Sequence, residues 1–221
     1  MNMASKAAAC VVAALTVSSC GPLNEGNVAI GAVNALRQSV TGQPAGAPAP
    51  TPAVLTRAQV DAAPGNFLVM NAYGGSLVAP LVPGGTNGNR VTWLGAETLA
   101  ITLEGGIIAA TRGFPRDLMA ADVSGVSRTI SAGGGNVTRI HETLDDTDQI
   151  SRQVLQCSIA PQGGETITIL QKSFATSRYS ETCQSDFLSF TNSYWVDGNG
   201  QIVRSLQAIA PEAGYVQLDR P

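Results

Sequence analysis

From about residue 64 onward the chain is a succession of short apolar runs broken by turn chemistry. The first group is Phe67–Tyr73, Leu77–Val82, Val91–Leu94, Thr98–Glu104 and Ile107–Thr111. The second is Ser127–Ser131, Val137–Leu144, Ser151–Ile159, Thr166–Gln171, Ser189–Asp197, Gln201–Ile209 and Tyr215–Leu218. Several alternate with a period of two. Leu99, Ile101 and Leu103 fall on one side and Thr98, Ala100 and Thr102 on the other, as in a strand with one buried face. Between the runs, Gly105-Gly106 and Gly163-Gly164 supply positive φ, and Asn87-Gly88, Asp197-Gly198 and Asn199-Gly200 are hairpin signals. Only Arg116–Asp122 reads as a helical turn. The pattern predicts an all-β domain over 64–221, an antiparallel β-sandwich or partly open barrel of about a dozen short strands. Such a length suffices to bury roughly two-thirds of the unfolded surface, so a true core is expected.

The first 63 residues follow a different logic. Lys6 precedes an apolar run, Ala7–Val17, too short for a bilayer span of about 20 residues but of the size of a signal h-region. The run closes on Val17-Ser18-Ser19-Cys20. An aliphatic residue, two small residues and a cysteine make a lipoprotein processing site, with Cys20 the lipidated residue; the alternative is an ordinary cleaved secretory signal. Residues 1–19 are then the leader, and 20–63 a flexible N-terminal tether. Gly21 after the cysteine points to the periplasmic face of the outer membrane. Within the tether, Val28, Ile30, Val33, Leu36 and Val40 loosely fit one helical stripe in 24–43, weakened by Gly31, so a short helix and a frayed tether are both open. The Pro/Ala-rich residues 44–54 favour an extended spacer, which at ~3.1 Å per residue reaches up to roughly 35 Å.

Composition narrows the chemistry. Charged residues are 13% of the chain and the net charge is −3, with no Lys/Arg cluster, so nucleic acid is not an expected partner. Of four cysteines, Cys10 lies in the leader and Cys20 takes lipid, which leaves Cys157 and Cys183. In an exported protein these most simply form one disulfide, the alternative being two free buried thiols. Cys157 sits between Leu155 and Ile159 on one strand face, so its sulfur points inward. Cys183 lies in the polar segment Arg178–Asp186, so the bridge is expected to pin a loop or edge to a core strand.

His141, the single histidine, alternates with Arg139 opposite Ile140 and Leu144, the pattern of a solvated strand histidine. No Gly-x-Ser-x-Gly elbow occurs and no metal-ligand set remains once the cysteines are used, so neither catalytic residues, metal nor cofactor is expected. Asp197–Gln201 begins like a calcium loop, but Ile202 and Ala208 occupy the positions of the required glycine and glutamate. Paired carboxylates of a glycosidase would have to come from Glu97, Glu104, Asp117, Glu142, Asp145, Asp146, Asp148, Glu181 or Asp186, and a single sequence cannot pair them. Trp93, Tyr194 and Trp195 are the candidate glycan or partner contacts. Tyr194 and Trp195, as strand neighbours, point to opposite faces, so only one is expected in the core.

Three stretches carry a resemblance. They are Trp93 with Gly105–Leu118, in which a glycine turn leads through Ile107-Ile108-Ala109-Ala110 to Thr111-Arg112-Gly113 and Asp117-Leu118; the pair Cys157 and Cys183; and Phe190–Asp197, continuing to Arg204-Ser205-Leu206-Gln207 and Pro211. Together with the Cys20 leader they resemble the YjbF/GfcB family of bacterial lipoproteins, associated with exopolysaccharide and group 4 capsule production. The resemblance implies an all-β periplasmic lipoprotein supporting polysaccharide secretion or assembly, with no catalytic residues to carry over. The expected partners are membrane lipid, through acylated Cys20, and polysaccharide export components or the polysaccharide itself. A glycan-processing enzyme using two carboxylates and a structural envelope lipoprotein without a glycan role are the alternatives.

Overall fold

The computed structural model describes residues 55–96 and 98–221. The leader, Cys20, the 24–43 stripe and the Pro/Ala spacer lie outside the described residues. The described part opens on a short helix, α1 (Arg57–Ala62), held by a capping box. The Thr56 hydroxyl accepts from the Gln59 amide at 3.4 Å while the Gln59 side chain accepts from the Thr56 N–H at 2.8 Å. Val60 is its buried residue.

Twelve strands follow in one antiparallel sheet. They are β1 (Leu68–Ala72), β2 (Leu77–Asn87), β3 (Arg90–Leu94), β4 (Ala100–Glu104), β5 (Ile107–Arg112) and β6 (Leu118–Asp122). After a helix, α2 (Val126–Ser131), come β7 (Gly135–Leu144), β8 (Ile150–Ile169), β9 (Lys172–Gln184), β10 (Ser189–Asp197), β11 (Ile202–Ala210) and β12 (Gly214–Asp219). Every strand pairs with its neighbours in sequence except at β5 and β6, and β12 returns to pair with β1, Met70 lying opposite Leu218. The two remaining edges, β5 and β6, are consecutive in the chain and face each other across a seam. Of the two architectures expected, the molecule is the barrel, nearly closed.

The turns use the predicted chemistry in most places. Gly105 and Gly106, at φ +59° and +90°, join β4 to β5. Asp197 ties the β10–β11 turn by accepting from the Asn199 and Gln201 amides, both at 2.9 Å. Two expectations change. Gly163-Gly164 is not a turn but lies within the long strand β8, beside a bulge at Pro161/Gly163, and the turn comes later at Leu170-Gln171, both with positive φ. Ser127–Ser131, expected as a strand, belongs to α2, which places Val126 and Ile130 in the main core. Arg116–Asp122, expected as a helical turn, is largely β6, because Leu118 and Ala121 are drawn into the core while the backbone pairs with β7.

The main core fills the barrel with Leu68, Met70, Leu81, Ile101, Leu118 and Leu218 among others. A second apolar layer lies outside the sheet. The distal half of the β8–β9 hairpin bends over β10 and β11, so that Ile167 and Ile169 pack against Trp195 and Val203. Arg204 of β11 reaches the Thr168 carbonyl at 3.3 Å, although two strands separate them in the sheet. The bulge in β8 provides the bend.

Candidate functional site

Polar side chains line the barrel interior, among them Arg139, which the sequence pattern places with His141 on a solvated face. Arg139 of β7, Glu181 of β9 and Asn192 and Tyr194 of β10 are all at most 1% exposed. One oxygen of Glu181 gathers three donors: Arg139 Nη1 at 2.8 Å, Asn192 Nδ2 at 2.7 Å and the Tyr194 hydroxyl at 2.6 Å. Asn192 Oδ1 in turn accepts from the Ala208 amide of β11 at 2.9 Å. Charge-assisted bonds of this kind are the strong ones; they tie β7, β9 and β10 together, and the neutral Asn192 contact adds β11. Burial, and then the neighbouring Glu181 charge, hold the Tyr194 phenol well above its usual range, so it stays a donor.

His141 lies on the same inward face, buried and stacked on Phe190 with ring centroids 5.5 Å apart. It is therefore not a solvated histidine. Burial, aided by Arg139, pushes its pKa down to about 3. A base held neutral in the fold but titrating near 6.5 in the unfolded chain contributes fully above pH 6.5. That contribution is lost as pH falls from 6.5 toward 3, by up to about 1.4 kcal/mol per pH unit. Urea unfolding at pH 6.5 and pH 5 is expected to show that loss in the wild type, and His141→Phe is expected to flatten it. An unchanged slope in the variant would contradict the assignment.

Cys157 and Cys183 form the disulfide, with S–S 2.05 Å. They lie directly opposite each other on β8 and β9, two interior strands of the sheet. The bridge thus joins neighbouring core strands rather than pinning a loop or edge. With Glu181 they are the one trio of potential metal donors gathered among the described residues, but the sulfurs are bonded to one another.

The seam is closed by side chains. The Thr111 hydroxyl accepts from the Leu118 amide at 2.9 Å and donates to Asp117 at 2.9 Å, and Asp117 also accepts from the Gly113 and Phe114 amides. Arg112 reaches the Leu118 and Met119 carbonyls, both at 3.4 Å, and Arg90 reaches that of Ala121 at 3.0 Å. From across the barrel, Gln207 of β11 accepts from the Ile108 amide at 2.9 Å and donates to the Gly106 carbonyl at 3.0 Å. The stretches Thr111–Leu118 and Asn192–Gln207 are therefore the parts that close the barrel and fill it.

A cleft of about 380 Å³ opens at one end, between the β2–β3, β4–β5 and β10–β11 turns. Trp93 and Ile202 form part of its wall, Asn89 and Gln201 its rim, and Arg220 reaches in from beyond β12. No carboxylate and no histidine lines it. Of the predicted contact aromatics, Trp93 alone belongs to it, with its ring almost wholly buried under the Arg220 guanidinium, 5.4 Å from the ring centroid. Tyr194 and Trp195 do point to opposite faces, yet both are buried, since the folded-over hairpin covers Trp195 and Glu165 accepts its indole N–H at 2.8 Å. Glu104, Asp117, Asp146 and Glu181 are each engaged by an arginine or by backbone amides, at separate places in the fold. Sequence reasoning missed Asn192, Gln207 and Arg220. The Phe190, Asn192, Tyr194 alternation was the available signal for the first.

No curated protein matches the chain. A solved structure of the hypothetical lipoprotein YmcC from Escherichia coli (K12) is similar in fold, with a TM-score of 0.68 at 20% identity over 85% of this chain and 93% of that one. Residues 33–220 match the family described as group 4 capsule polysaccharide lipoprotein gfcB, YjbF. That match takes in every strand of the barrel, its seam and its buried network, and the chain belongs to this family.

Proposed function

We propose that the protein is a non-enzymatic, lipid-anchored accessory factor of exopolysaccharide or capsule export and assembly. It is held at the periplasmic face of the outer membrane by acylated Cys20. The family match over residues 33–220 carries this reading. The cleft between the β2–β3, β4–β5 and β10–β11 turns offers Trp93, Arg220 and exposed amides to a partner or polymer, which suits a contact surface. The barrel contacts an export component or the polymer, and the lipid keeps it where that polymer passes. A single acyl chain binds only marginally, so stable retention needs more than one chain on Cys20.

Deleting the gene in its native host is expected to reduce surface polysaccharide, and the wild-type gene to restore it. Cys20→Ala protein is expected to be folded and disulfide-bonded, to appear in the soluble rather than the membrane fraction, and to fail to restore it. Unchanged surface polysaccharide in the deletion strain would overturn the proposal.

A further inference from the structure

Arg220 stands apart from other buried and half-buried arginines. Arg90, Arg139 and Arg204 each hold a carboxylate, at 3.0, 2.8 and 2.5 Å. The Arg220 guanidinium makes no ion pair and no side-chain hydrogen bond among the described residues, and its Nε is fully buried without a partner. Its backbone N–H is fixed to the Val203 carbonyl at 2.8 Å, and its guanidinium lies over the Trp93 ring, so the charge is held in the cleft rather than swinging in solvent. A positioned cation left unpaired in a concave site is an unfilled demand for an anion.

The rest of the lining limits what that anion belongs to. No second Lys or Arg lines the cleft, which suits a singly charged carboxylate better than a doubly charged phosphomonoester. The rim amides Asn89 and Gln201 are exposed and make no side-chain hydrogen bond among the described residues, leaving donors and acceptors for hydroxyl groups. The Ile202 side of the wall is apolar, and the cleft volume is at the small end of ligand pockets, suited to one or two sugar rings. We infer that this cleft binds an acidic sugar residue, its carboxylate paired with Arg220 and its hydroxyls with Asn89 and Gln201. The inference rests on the polysaccharide role proposed above and gives it a contact point.

The test uses the full-length protein, with calorimetric titration of a galacturonate trisaccharide, maltotriose as the neutral control and inorganic phosphate as the simple anion. The galacturonate trimer is expected to bind one per chain, at least tenfold more tightly than maltotriose or phosphate. Arg220→Gln is expected to weaken it at least tenfold. Gln201→Ala, at an exposed turn position, is expected to weaken it severalfold with an unchanged unfolding midpoint, and decides the matter should Arg220→Gln fail to fold. Absence of trimer binding, equal binding by the variants, or equal affinity for phosphate each overturns the acidic-sugar cleft. A deletion strain that loses polysaccharide while the protein ignores the trimer removes this cleft alone. A deletion strain with normal polysaccharide removes the accessory role and leaves the binding measurement standing.

Discussion

Glu181→Ala is expected to lower the unfolding free energy by about 3–5 kcal/mol, the range for removing one partner of a fully buried ion pair. The magnitude comes from what is left behind. Arg139, at 1% exposure, would keep its charge with no carboxylate, and the Asn192 amide and Tyr194 hydroxyl would lose the same acceptor. Urea midpoints with an unchanged slope would report it. The double variant Arg139→Met/Glu181→Leu is expected to recover part of the loss, because it removes the stranded charge while Asn192 and Tyr194 still lack their acceptor. Tyr194→Phe is expected to cost less, about 1.5–3 kcal/mol, since it deletes one hydrogen bond to a charged group. A Glu181→Ala protein within 1 kcal/mol of wild type would mean that the network is not a structural element of the barrel.

The second large effect belongs to the disulfide. Cys157 and Cys183 are separated by 26 positions, and chain-entropy reasoning assigns a loop of that size about 3.5 kcal/mol. The double variant Cys157→Ala/Cys183→Ala is expected to unfold at correspondingly lower urea, and reduction of the wild type to move its midpoint in the same direction. Because the bridge lies in the cluster with Leu155 and Phe190, the alanine variant also loses some packing and is expected to fall slightly below the reduced protein. A variant as stable as the oxidised wild type would show that β8 and β9 need no covalent tie.

How well the pattern of residues foretold these features depended on the distance over which each is made. Leu99, Ile101 and Leu103 alternate against polar neighbours, and the turns Gly105-Gly106 and Asp197–Gln201 carry their own geometry, so strands and hairpins were local facts. The interior of β7–β10 was not. There Arg139, His141, Glu181 and Asn192 face inward while Val154 and Ile150 are 51% and 68% exposed, the reverse of what an alternation rule assumes. A buried arginine is tolerable only because its partner arrives from 42 residues away, and no window along the chain contains both. The same holds for Trp195. Its neighbour Tyr194 was rightly placed on the opposite face, but the roof over Trp195 is the distal hairpin, whose bend depends on a bulge at Pro161/Gly163. Barrel and sandwich likewise differ in whether β12 meets β1, a pairing between the two ends of the domain.

That pairing has a consequence for how the protein comes into being. The strand that flanks β1 opposite β2 is β12, Gly214–Asp219, so β1 presents an open hydrogen-bonding edge until this strand, distant in sequence, has docked. Folding that waits on so distant a contact is slow, and an unclosed ring of strands is a template for intermolecular pairing. A chain that stops short of Gly214 would leave one open edge on β1 and one on β11, turning a nearly closed barrel into a sheet with two sticky edges.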